Sequence, residues 1–324
     1  MLPYLLGLAL LFDFLNGFHD SSNIVATVIS SRALPPRLAL VMAALAEFSG
    51  PFIFGVAVAK TVGDGLLTRS ALTSDVIIAA LAASVLWNLL TWWIGIPSSS
   101  SHALVGGLLG AAIMAQGWAV IQMEGLMTIL IALLTSPLFG LAMGFLVMKG
   151  TLLLSRNASP KINTLFKRLQ VVTLLGLGLS HGTNDAQKTM GVITLGLLLE
   201  GYITDFTVPT WVIAASAGAI ALGTSFGGWR LIRTLGGRIY RIRPVHALTS
   251  QAAGAAVILG AALLGGPVST TQVMSSSIMG VGAAERMNKV RWGILKDMLT
   301  AWLLTIPLVG VCAALGYWLI HFVF

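Results

Sequence analysis

Cysteine is nearly missing: Cys312 is the only one in 324 residues, so neither an intrachain disulfide nor a cysteine metal site can form. Charge is scarce too, at 9% of residues, where an ordinary soluble domain has about 25%. With 56% hydrophobic residues and a mean hydropathy of +0.91, the chain has too little polar surface to enclose a soluble core. No phosphate-cradling nucleotide loop, zinc ligand set or nucleophile triad is present, and no segment alternates as a barrel strand would. No covalent cofactor is called for. The net charge of +8 reads as basic loops of a membrane protein rather than as a nucleic-acid surface.

Apolar runs of span length are plentiful, and backbone groups in lipid must pair within their own segment, so the spans are expected to be helices. The opening "LPYLLGLALLFDFLNGF" has no basic n-region and contains Asp13 and Asn16, so it reads as a retained span and not a signal peptide.

The chain repeats itself. "LLTSPLFGLAMG" from Leu133 returns as "LLTIPLVGVCAA" from Leu303, 170 positions later. The same offset lays "PSSSSHALVGGLLG" (Pro97 to Gly110) on "PVSTTQVMSSSIMG" (Pro267 to Gly280). Ser99, Ser100 and Ser101 then fall on Ser269, Thr270 and Thr271, and His102 on Gln272. "NGFHDSSN" from Asn16 matches "HGTNDAQK" from His181, pairing Asp20 with Asp185, and "KTVG" from Lys60 matches "RTLG" from Arg233. The halves are expected at 1–155 and 164–324, joined by a cytoplasmic connector at 156–163.

Each half holds about five apolar stretches: near 3–31, 37–59, 72–96, 98–117 and 124–154, then 165–200, 208–229, 245–266, 268–284 and 295–322. With both termini outside, Arg32, Arg37, Lys149 to Arg168, Arg230 to Arg243 and Arg286 to Lys296 fall inside. Only Lys60 and Arg69 fall outside, a strong positive-inside bias. An odd number of crossings per half makes the halves inverted, a design of many secondary transporters. The fold class is therefore an all-α polytopic membrane protein of two inverted-topology repeats, with discontinuous helices and re-entrant hairpin-like elements. Stretches 72–117 and 245–284 either span or dip, the dip placing the hydroxyl runs at its tip.

Serine after proline, ahead of an apolar helix, is N-cap chemistry, and a helix N-terminus attracts anions. Two such termini at the same repeat position make a cradle of neutral donors for a tetrahedral oxyanion, formed by Ser99, Ser100, Ser101, Ser269, Thr270 and Thr271, with Gln272 beside them. The same residues also suit plain capping or close packing. Asp20 and Asp185 are acids inside spans, where burial is costly, so they are expected to hold the coupling cation, Na⁺ or H⁺. Na⁺ would use their oxygens as a metal site. Lys188, three residues after Asp185, is either an ion-pair partner or a substrate contact. His19 could pass a proton. Glu47 has Ile220 as its repeat mate, so it is either a second cation site or a packed acid; Asp13 and Asn88 are weaker cases. The glycine and polar residues of "NGFHDSSN" and "HGTNDAQK" look like unwound points in their helices. A channel would need a continuous polar stripe, and an enzyme a nucleophile facing its base, which the neighbours Ser101 and His102 do not do.

"LNGFHDSSNIVATVISSRAL" and "GLSHGTNDAQKTMGVI" resemble the paired signature of the inorganic phosphate transporter (PiT) family, in its bacterial Pit-like branch, and the similarity covers essentially the whole chain. The resemblance implies symport of inorganic phosphate with Na⁺ or H⁺ in the inner membrane, often by a homodimer. In that branch a neutral complex of phosphate with a divalent metal, moved with protons, is the other form of substrate. It also implies that Asp20, Asn23, Asn184 and Asp185 belong to the signature and that the hydroxyl runs hold phosphate. His19-Asp20 and "SSN" depart from the commoner Asn-Asp and "VAN" or "TAN", which leaves the cation open. Sulfate is the alternative oxyanion. It cannot donate a hydrogen bond, so an acceptor beside the anion would favour phosphate.

Overall fold

The computed structural model describes residues 1–68 and 71–323; Arg69, which the charge pattern places outside, lies outside the described residues. The first half forms α1 (Leu2–Ser30), α2 (Pro36–Phe54), α3 (Ala57–Asp64), α4 (Ser74–Ile94), α5 (Ser100–Gln116) and α6 (Met123–Leu154). The second forms α7 (Ile162–Leu199), α8 (Thr210–Phe226), α9 (Trp229–Arg233) with a π-helical turn at Thr234–Arg238, α10 (Pro244–Leu263), α11 (Thr270–Glu285) and α12 (Trp292–Val323). Among the described residues there is no strand, only an isolated bridge between Leu67 and Ile121.

Six of these helices, or seven if α8 and its bent continuation count as one, are long and apolar enough to cross a membrane. The 38-residue α7 is not among them. Its inner turns carry His181, Asn184, Asp185, Gln187 and Lys188, all enclosed by neighbouring helices, so it needs no apolar surface there.

The breaks are not where the polar motifs suggest. α1 and α7 run unbroken through "NGFHDSSN" and "HGTNDAQK". Their glycines serve close approach instead: a Cβ on Gly17 would lie 2.0 Å from the Ile220 carbonyl, and one on Gly182 2.1 Å from that of Glu47. The helices break elsewhere. Gly55, at φ +83°, divides α2 from α3, and Gly227 precedes a 60° bend between α8 and α9.

α4–α5 and α10–α11 are hairpins, but their turns lie at the left-handed Gly95 and Gly265, ahead of the hydroxyl runs. From each turn the chain comes back without regular structure, through Pro97 or Pro267, before a helix restarts at Ser100 or Thr270. Packing is reciprocal: α1 meets α8 as α7 meets α2, and α5 meets α12 as α11 meets α6. The turns are held the same way. Thr61 Oγ1 donates to the Gly265 carbonyl at 2.8 Å and Thr234 Oγ1 to that of Gly95 at 3.3 Å, and both threonines belong to the matched "KTVG" and "RTLG". Two apolar clusters share α1 and α7, one along Leu5–Leu15 and Ala186–Leu197, the other along Ile24–Val28 and Leu174–Leu177. The polar turns of both helices lie between them.

Candidate functional site

The polar turn of α1, the polar turn of α7 and the returning arms of both hairpins meet at one point. None of the predicted site residues there is more than 4% exposed, so the centre is buried among the helices.

The hydroxyl runs start their helices as capping chemistry requires. Ser99 Oγ accepts the His102 amide at 3.2 Å and Ser269 Oγ the Gln272 amide at 3.4 Å. The two amides before these in each helix, Ser100 and Ser101 or Thr270 and Thr271, have no intrahelical acceptor. The two termini touch: Ser101 Oγ donates to the Val268 carbonyl at 3.3 Å, and His102 Nε2 lies 3.5 Å from Gln272 Nε2. His102 also has its Nδ1 2.7 Å from Ser99 Oγ.

Thr270 stands between the aspartates. Its hydroxyl lies 2.7 Å from Asp185 Oδ2 and 3.2 Å from Asp20 Oδ2, and Thr271 Oγ1 donates to Asp20 Oδ1 at 3.0 Å. His19 Nδ1 reaches the same Asp20 oxygen at 2.9 Å. The Asn23 amide donates to Thr271 Oγ1 at 3.0 Å. The Asn184 amide donates to Asp185 at 2.8 Å and to the Val268 carbonyl at 2.9 Å, while its oxygen accepts the Val268 amide at 3.3 Å.

Lys188 pairs with Asp185, and its ammonium also donates to Ser101 Oγ at 2.6 Å and to the Val268 carbonyl at 3.0 Å. Of the two readings of Lys188, the ion pair with Asp185 is present, and the ammonium also ties the two hairpins. Among the described residues, the side chain of its repeat mate Asn23 donates only to Thr271, the repeat mate of Ser101.

One residue escaped the sequence analysis. His181 Nδ1 lies 2.7 Å from Glu47, and Nε2 lies 3.1 Å from Asp185 and 3.8 Å from Asp20. Glu47 therefore joins the centre through His181 and not by direct contact with the aspartates. The available signal was spacing, since His181 sits four residues before Asp185 on one helix face. Asp20, His181 and Asp185 each offer a ligand atom within 4.8 Å of the others, a set that suits a cation. Asp13 stands apart, bound by Thr189 Oγ1 at 2.6 Å, and Asn88 is buried with neither amide atom paired.

A family model described as "Phosphate transporter family" matches residues 16–313. A probable low-affinity inorganic phosphate transporter of Bacillus subtilis (strain 168) is 45% identical, the match covering 98% of this chain and 96% of that one. One of the same description from Rhizobium meliloti (strain 1021) is 42% identical, covering 97% and 96%. A solved structure titled "The sodium-dependent phosphate transporter" superposes with a TM-score of 0.89 over 100% of this chain and 99% of its own, at 23% identity.

Proposed function

The chain belongs to the phosphate transporter family, whose members are transporters and not enzymes, and on that premise we propose that it is a secondary active symporter carrying inorganic phosphate with a cation, H⁺ or Na⁺, by alternating access. One observation carries this reading: Thr270, at the N-terminus of α11, sits within hydrogen-bond reach of both Asp20 and Asp185.

A hydroxyl has one proton, so Thr270 and Thr271 serve either a carboxylate or an anion. Without a cation the aspartates take those protons. Once a cation neutralises Asp20 and Asp185, the two hydroxyls are free to turn to phosphate. The unpaired amides at the starts of α5 and α11 add neutral donors. Phosphate is then favoured only with its cation, which is symport. Lys188 holds the hairpin arms together meanwhile, and the Thr61–Gly265 and Thr234–Gly95 contacts stand on opposite turns as the parts that open in alternation. The reciprocal packing supports inverted repeats at 1–155 and 164–324. The same reading places a homodimer in the inner membrane with both termini outside.

Acceptors within reach of the hairpin termini favour an anion that brings its own proton, hence phosphate over sulfate. The Asp20–His181–Asp185 set supports a second form of substrate, a neutral complex of phosphate with a divalent metal. Phosphate uptake into proteoliposomes, with Na⁺ and pH gradients imposed separately and divalent metal present or chelated, separates these. A response to one gradient identifies the cation, and loss on chelation identifies the metal complex. Uptake indifferent to both gradients would overturn symport. Ser100→Ala with Thr270→Val is expected to raise the phosphate concentration for half-maximal uptake about tenfold, roughly one hydrogen bond's worth. An unchanged value would place the anion elsewhere.

A further inference from the structure

Away from this centre, Arg32, Lys167, Arg241, Arg243 and Arg291 line a single cavity of about 560 Å³. They come from five places in the chain: the end of α1, the start of α7, the link between the π-helical turn and α10, the residue before α10, and the residue before α12. No carboxylate lines the cavity. Only Arg243 has an acid in ion-pair range among the described residues, and that acid is Glu285. Glu285 also holds Lys289 and His246. Burial pushes its carboxyl up, but hydrogen bonds from Lys289 and His246 outweigh that and bring it down to about 2, so it stays ionised and committed. Arg32, Lys167, Arg241 and Arg291 thus share a cavity with no neutralising charge, an arrangement that repels itself until an anion enters.

Arg32 takes the left-handed conformation, at φ +56°, because it closes α1: its amide donates to the Ile29 carbonyl at 3.1 Å and the Ala33 amide to that of Val28 at 3.1 Å, so the cap of α1 sets where Arg32 meets the cavity. Next to it the turn carrying Gly236 and Gly237 is π-helical, a local form common at functional sites. Ser30 and Ser31 supply hydroxyls to the same cavity, although Ser31 Oγ is given to Gln170 at 2.6 Å.

We propose that this cavity is a second anion site that binds a phosphate group, either free inorganic phosphate or the headgroup of a phosphomonoester lipid. Guanidinium groups match the planar oxygen pairs of phosphate, and several around one point suit a doubly charged anion over a singly charged one. The site adjoins the end of α1 and the Thr234–Arg238 turn, whose Thr234 holds the Gly95 carbonyl, so occupancy bears on the element that closes that turn.

A cysteine in the cavity tests this without measuring transport, so its failure leaves the symport reading untouched. Gly237 lines the cavity, is exposed, and a Cβ there meets nothing within 4 Å. The Cys312→Ser/Gly237→Cys protein, in phosphatidylcholine nanodiscs, is labelled with N-ethylmaleimide at constant ionic strength. Inorganic phosphate is expected to slow labelling about threefold at twice its dissociation constant, with chloride inactive. Discs containing phosphatidic acid are expected to show that slowing without added phosphate if a lipid headgroup is the ligand. Adding Arg241→Gln and Arg291→Gln should remove the protection; if that pair does not fold, Arg291→Gln alone should weaken it. Equal labelling rates in every condition, or protection that survives loss of the arginines, would overturn the site.

Discussion

Asp20→Asn is expected to leave the protein folded and to reduce coupled phosphate uptake about 100-fold. The asparagine oxygen can still accept from Thr271 and His19, which lie 3.0 and 2.9 Å from one carboxylate oxygen; Thr270, 3.2 Å from the other, loses that acceptor but keeps Asp185 at 2.7 Å, so the local network survives in outline. What goes is the negative charge. A cation buried at the centre loses a charged partner worth about 3 kcal/mol, or roughly two powers of ten in binding. Uptake under an imposed Na⁺ or pH gradient should fall by that factor, while the melting temperature stays within a few degrees. Normal coupled uptake by Asp20→Asn would remove this carboxylate from the mechanism. Asp185→Asn is not equivalent, although the two positions match in the repeat: it strips the counter-ion from Lys188, which is 2% exposed, and so threatens folding as well as transport.

Much of this centre was legible because membranes make polarity expensive. Asp20 and Asp185 stand out in any apolar run, and the hydroxyl runs stand out because they recur at one offset. His181 was not legible, because its meaning lies in Glu47 on α2 and Asp20 on α1, contacts between residues far apart in the chain. Helix continuity misled for a similar reason. A glycine among polar residues looks like an unwound point, and only the backbones of Ile220 and Glu47 pressed against Gly17 and Gly182 reveal a packing role. The real break at Gly55 lies inside an apolar stretch and carries no polar mark. The hairpin turns were displaced from the serines because Gly95 and Gly265 make the turns, leaving the hydroxyls on the returning arms beside the aspartates.

Lys188→Met should destabilise the protein by about 3–5 kcal/mol, the usual result of leaving one member of a buried ion pair alone. Asp185 keeps Thr270 at 2.7 Å, Asn184 at 2.8 Å and His181 at 3.1 Å, which places the loss toward the lower end. A second consequence is mechanical. The lysine ties Ser101 on one hairpin to Val268 on the other, so the arms separate more easily without it. Adding Asp185→Asn removes the orphaned charge and should recover most of the melting temperature, since a buried pair replaced as a whole by neutral groups costs little. Uptake should not recover, because the cation has still lost a carboxylate. Stability and transport then part company in a double-mutant cycle. If Lys188→Met melts like the parent, the pair does not hold the centre together. Should the double variant transport normally, Asp185 is a structural counter-ion, and the cation rests on Asp20 without it.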